Sequence, residues 1–154
     1  MTLTLTKTRL KTLTDEQAAD VRRDWERDTA ALADDVQAWA EAAGRGWRVE
    51  RTEREVIEES IGGSYRVPVV TIRAGEYSEL VLEPAARALL SFQKGQGRVD
   101  LYAYPSMYRV MLMHREVGKG RPLEWVVRTS SGLDWPQPWD RETFLRLADG
   151  LLAA

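Results

Sequence analysis

The stretch Arg98-Val-Asp-Leu-Tyr-Ala-Tyr104-Pro-Ser-Met-Tyr108-Arg-Val-Met-Leu-Met-His-Arg115 decides the fold. Two β-rich runs, Arg98 to Tyr104 and Tyr108 to Arg115, flank Pro105-Ser106-Met107, a connection short enough for a hairpin. Closing the hairpin with Tyr104 opposite Tyr108 predicts a register. Leu101 then faces Met111 and Val99 faces Met113 on one side of the sheet, while Tyr102/Val110, Asp100/Leu112 and Arg98/His114 share the other. The first side reads as a core face. The second is aromatic and polar.

Downstream, Gly118-Lys119-Gly120-Arg121-Pro122 turns the chain into a third run, Leu123 to Thr129, which completes a meander. The Pro-rich connection that follows carries Trp135 and Trp139, side chains costly to leave in water. Asp140 is placed to cap a final helix, with Trp139 and Phe144 at the spacing of a hydrophobic staple. Phe144, Leu147, Ala148, Leu151 and Leu152 then recur with the helical period, so this helix has one apolar face.

Upstream, Thr14-Asp15-Glu16-Gln17 matches a capping box. The periodic residues Ala18, Val21, Trp25, Leu32, Val36, Trp39 and Ala43 predict a helix that Gly44 ends. About 29 residues at ~1.5 Å each give roughly 43 Å, as long as a compact chain of this size is wide, about 40 Å. Its apolar stripe skips a turn near Asp28-Thr29. Residues Met1 to Leu13 read as an edge strand or a flexible arm. Trp47 to Glu59 reads as a charged, exposed strand, and Tyr65 to Arg73 returns from it, with Pro68 arguing for an edge position or a bulge. Tyr77 to Glu83 gives a further strand, and Pro84 sits where a first helical turn tolerates it, before a short helix at Ala85 to Leu90. The expected fold is a single α+β domain over 1–154. It has one antiparallel sheet of about six strands, a long N-terminal helix, a short middle helix and a C-terminal helix, with the helices against one face.

The 154 residues contain no Cys and a single His, which removes thiolate nucleophiles, Cys-based zinc sites and multi-His centres. No metal or cofactor is expected. No apolar run reaches membrane-spanning length and no charged-then-apolar leader opens the chain, so a cytoplasmic location without a membrane partner is the expectation. The net charge of −2 is uneven, with 14 acidic and 7 basic residues between Asp15 and Ser60. No basic stripe emerges, which disfavours nucleic acid as a partner. Gly95-Gln96-Gly97 and Gly118-Lys119-Gly120 read as turns rather than phosphate loops, because neither leads into a helix.

Element order, size and acidity are similar to those of small secretion-chaperone-like α+β folds that bind polypeptides, a likeness of topology alone. The leading expectation is therefore a non-catalytic protein-binding or assembly domain whose partner is another protein or a second copy in a homodimer. It would act through the face bearing Tyr102, Tyr104 and Tyr108, or through the loop carrying Trp135 and Trp139. The alternative is a small enzyme or ligand binder built around Arg98, Asp100 and His114, which the expected register brings to one face with His114 as general base.

Overall fold

The computed structural model describes residues 13–87, 97–116, 118–129 and 131–154. Helix α1 (Asp15–Glu41) begins where the sequence places it: Thr14 Oγ1 accepts from the Gln17 amide at 3.1 Å, and Gln17 Oε1 accepts from the Thr14 amide at 3.0 Å. Twenty-seven residues at ~1.5 Å each make it roughly 40 Å long. The apparent gap in its stripe is filled by Thr29, which is buried because its hydroxyl satisfies itself on the Trp25 carbonyl at 2.8 Å. The stripe runs Ala18, Trp25, Thr29, Leu32, Ala33, Val36 and Ala40.

Six strands follow: β1 (Arg48–Glu58), β2 (Gly63–Arg73), β3 (Glu79–Ala86), β4 (Gly97–Tyr104), β5 (Arg109–Glu116) and β6 (Leu123–Arg128). They form one antiparallel sheet in the order β1-β2-β3-β4-β5-β6, which makes β1 and β6 its edges. Helix α2 (Arg141–Ala153) closes the chain, capped by Asp140 through the Thr143 amide at 2.8 Å. Both helices contribute to one core with the sheet: Trp25, Leu32 and Val36 of α1 and Phe144, Leu147 and Ala148 of α2 join Val70, Ile72, Leu80, Leu82, Val99, Leu101, Leu112 and Val127.

The described residues contain two α-helices, and the expected short middle helix is not one of them. Ala85 and Ala86 finish β3, and Pro84 lies inside that strand opposite Val99, next to a register shift. Proline is tolerated there because the β2 ladder stops at Leu82, leaving no β2 partner for the amide that Pro84 lacks. The rest of that expected helix, at 88–90, and the expected edge strand or arm at 1–12 lie outside the described residues. Pro68 obeys the same logic, pairing with Glu53 of β1 beyond the reach of β3.

The β4–β5 register differs from the expected one by one residue. Ala103 N–H donates to the Tyr108 carbonyl at 3.0 Å and Met107 N–H to the Ala103 carbonyl at 2.8 Å, so Ala103, not Tyr104, closes the loop opposite Tyr108. Val99 consequently faces Leu112, Leu101 faces Val110, Asp100 faces Met111 and Arg98 faces Met113. A slip of one residue exchanges the two faces of a strand. Val110, Leu112 and His114 therefore lie under the helices with Val99 and Leu101, while Met111 and Met113 move to the opposite, open face with Arg98, Asp100 and Tyr102.

Candidate functional site

The slip dissolves the first constellation expected from the sequence. Arg98 and Asp100 share the open face, where Asp100 accepts from Arg98 Nε at 2.7 Å and Nη2 at 3.0 Å and has Arg109 at 3.6 Å. Both carboxylate oxygens of Asp100 are thereby taken up by guanidinium groups. His114 lies on the other face, 7% exposed, stacked on Trp125 with ring centroids 4.2 Å apart and facing Trp25 at 6.4 Å. Its Nδ1 stands 3.8 Å from Asp28. Burial pushes the imidazole below its ordinary value, the Asp28 carboxylate opposes this, and Arg87 and Arg27 add to the depression. The histidine is a neutral core residue filling a gap between two tryptophans.

The tyrosines do not form one surface either. Tyr102 is half-buried on the open face and donates to Glu83 at 3.0 Å. Tyr104 and Tyr108 are exposed at the tip of the β4–β5 hairpin, Tyr104 beside a recess of about 200 Å³ shared with Leu151 and Leu152 at the end of α2. By register Tyr108 falls on the side of Ala103, not of Tyr102.

What the structure does bring together is the Trp-Pro segment and the β6 edge. After β6 the chain reverses through Gly132, whose φ of 84° suits glycine, and Thr129 N–H donates to the Leu133 carbonyl at 3.0 Å. The returning strand touches β6 in a single bridge, Arg128 with Asp134, and Trp135 N–H donates to the Val127 carbonyl at 2.8 Å. Asp134 fastens this return. It accepts from Arg128 Nε at 3.0 Å and from Arg115 Nη2, tying the segment to both β6 and β5. Pro136 and Pro138, whose rings fix φ, then carry the chain away from the edge to the Asp140 cap. Trp139 packs against Trp39 at 5.7 Å and Phe144 at 6.0 Å, the staple contact expected of it.

Between the departing segment and β6 lies a groove of about 590 Å³, walled by Trp125, Trp135, Trp139, Pro136 and Pro138, with Asp35 of α1, Glu124, Arg115 and Asp134 at its margins. The outer backbone of β6 borders it at Glu124, Trp125 and Val126. Because the Val127 carbonyl points outward to Trp135, the alternation of an antiparallel ladder turns the amides and carbonyls of Leu123 and Trp125 outward as well. Among the described residues nothing pairs with them. The margin is acidic: Arg115 is matched by Asp134, while Asp35 and Glu124 are exposed. Two buried donors in the groove walls, Trp139 Nε1 and Arg115 Nε, have no acceptor among the described residues.

Of the residues expected to bind a partner, Trp135 and Trp139 are thus in one site, joined by Trp125 and Asp35, which sequence reasoning did not single out. Among the described residues no three His, Asp or Glu side chains converge as metal ligands, and no helix is long and apolar enough to cross a membrane. Comparison with protein-family models, curated proteins and solved structures finds no match.

Proposed function

We propose that the chain is a polypeptide-binding domain that takes an extended segment of another protein into the groove between β6 and the Trp-Pro segment. The observation that carries this reading is the partly vacant edge of β6. The chain's own Leu133–Trp135 return occupies the strand from Val127 onward and leaves the Leu123 and Trp125 backbone open. A guest strand at the usual spacing of ~4.8 Å would continue the sheet. Its alternate side chains would meet Trp125, Trp135 and Trp139, and rings held by prolines lose little entropy on binding. The uncompensated Asp35 and Glu124, together with the indole faces, favour Lys or Arg in the guest.

Selection from a random peptide library displayed on phage, followed by amide NMR mapping of one selected peptide, tests this. The expected result is enrichment of extended sequences with Lys or Arg, resonance shifts at Leu123, Trp125, Trp135 and Trp139, and binding lost in Trp135→Ala and weakened in Asp35→Lys. Shifts confined to the Tyr104–Tyr108 hairpin, or no enrichment, would overturn it.

A further inference from the structure

The other edge of the sheet is β1, and its sequence has a property that a protected edge does not need. Eleven residues at ~3.3 Å each give a strand of roughly 36 Å, and most of its side chains are exposed, including Ile57 at 71%. Edges are commonly blunted with charges that repel an incoming strand. From Arg48 to Glu55 the charges of β1 alternate in sign instead, as Arg48, Glu50, Arg51, Glu53, Arg54, Glu55, and Glu58 ends the strand. Among the described residues no strand pairs with its outer side.

A strand can meet a second copy of itself antiparallel about a two-fold axis only if the axis passes through a residue. Otherwise the symmetry would exchange a hydrogen-bonded pair with a non-hydrogen-bonded one. Among registers that pair more than half of β1, centring on Arg51, Glu53, Arg54 or Glu55 sets that residue against its own charge. Centring on Thr52 does not. It places Glu50 opposite the second copy's Arg54 and Arg51 opposite the second copy's Glu53, each twice by symmetry, with no like-charged pair.

The pattern extends beyond the seam on both faces. On the open face Arg73 holds Glu50 at 3.3 Å and Arg54 holds Glu83 at 3.3 Å, so the row across the seam would read Arg73, Glu50, then the second copy's Arg54 and Glu83. On the helix face Asp34 holds Arg51 at 2.6 Å and Arg66 holds Glu53 at 3.1 Å, giving Asp34, Arg51, then the second copy's Glu53 and Arg66. Every neighbour in both rows is of opposite sign. One residue before the strand, Trp47 would come opposite the second copy's exposed Ile57.

We infer that β1 is a self-complementary edge through which two copies of this chain join their sheets about a two-fold axis at Thr52. The seam lies at the opposite end of the sheet from the β6 groove, so its failure and the failure of the peptide-binding reading are separate outcomes. Light scattering across a concentration series should give twice the chain mass. Glu53→Arg, which meets Arg51 across the seam, should weaken association by about ten-fold, and the exchanged pair Arg51→Glu with Glu53→Arg should restore part of it, since Asp34 and Arg66 of the same copy then face like charges.

Because the chain has no native Cys, Thr52→Cys gives a direct geometric reading. Thiols facing each other across the axis should oxidise to a covalent dimer much faster than Tyr108→Cys, an exposed position far from the seam, and faster than Glu53→Cys. A monomeric mass at high micromolar concentration would overturn the proposal, as would equal cross-linking of the three variants. Faster linking of Glu53→Cys than of Thr52→Cys would overturn the register.

Discussion

Gly97→Ala should be far more damaging than its size suggests. Gly97 sits at the start of β4, opposite His114 in the ladder, and a Cβ built on it would lie 2.3 Å from Trp25 Cζ3, 2.5 Å from Cη2 and 3.0 Å from Cε3. Carbon atoms in favourable contact stand ~3.5–4.0 Å apart, so the indole would have to retreat by about 1 Å or more. It has little room, being 1% exposed with Trp125 at 6.0 Å and His114 at 6.4 Å. Overpacking of this kind costs ~1–3 kcal/mol, and a rigid ring confined by two others puts the cost near the upper end. Alanine returns ~0.4–1 kcal/mol by restricting the unfolded chain, leaving roughly 2 kcal/mol. At ~2–4 °C per kcal/mol the melting temperature should fall by about 4–8 °C, readable by circular dichroism. Trp25→Leu leaves a cavity and costs ~3 kcal/mol on its own, but it removes the obstacle. The double variant should therefore be less destabilised than the sum of the singles by about 1 kcal/mol or more. A Gly97→Ala melt within about 1 °C of the parent, or strict additivity, would refute this account of the β4–α1 contact.

Trp139→Ala should cost about 3 kcal/mol, through lost contacts to Trp39 and Phe144. Trp47→Ala, whose ring is half-buried and has Arg45 at 5.4 Å, should cost about 1 kcal/mol; equal urea midpoints would contradict the ranking. His114 is held below its ordinary value by burial, with Asp28 opposing and Arg87 and Arg27 contributing, so the unfolded chain takes up the proton first. Its share of stability is complete above about pH 6.5, falls as pH drops through that value, and levels off below the lower folded-state value. His114→Gln should therefore lose less stability than the parent between about pH 7.5 and about pH 5.5, and parallel stability curves would exclude the linkage. A strong chelator should leave the melting temperature unchanged, and a fall would reveal a structural ion.

Local chemistry was legible wherever a short segment settles its own structure. The Thr14/Gln17 box and the Asp140 cap each need only neighbours within a few residues. The β4–β5 register was not legible, because it depends on how the loop closes. Met107 adopts a φ of 65°, a left-handed conformation that the sequence does not advertise as glycine would, and Ala103 rather than Tyr104 becomes the closing residue. That single shift moved His114 from an imagined catalytic face into the core. Pro84 misled for a different reason, since the first helical turn and a strand position without a neighbour both tolerate a residue without an amide proton. The groove joins α1, β5, β6 and the Trp-Pro segment, residues far apart in the chain, so only the prominence of Trp135 and Trp139 hinted at it.

The charges of the open face weigh for the proposed edges, and against the tyrosines, as docking surfaces. Its charges already answer one another: Asp100 is engaged by Arg98 and Arg109, Asp134 by Arg115 and Arg128, and Glu83 by Arg54 and Tyr102. In water each such pair contributes only ~0–1 kcal/mol. A partner laid flat over the face would strip the water from all of them, at several kcal/mol per ion, while offering nothing that the existing pairs lack. Met113 and Val81, two of the apolar side chains on that face, are already 6% and 8% exposed beneath these polar neighbours, and Met111 and Val126 are half-buried. Strand addition at β1 or β6 escapes that penalty. It would satisfy backbone groups that have no partner among the described residues and leave most of the face's ion pairs in water, so a sheet whose broad face is self-satisfied would bind through its rims.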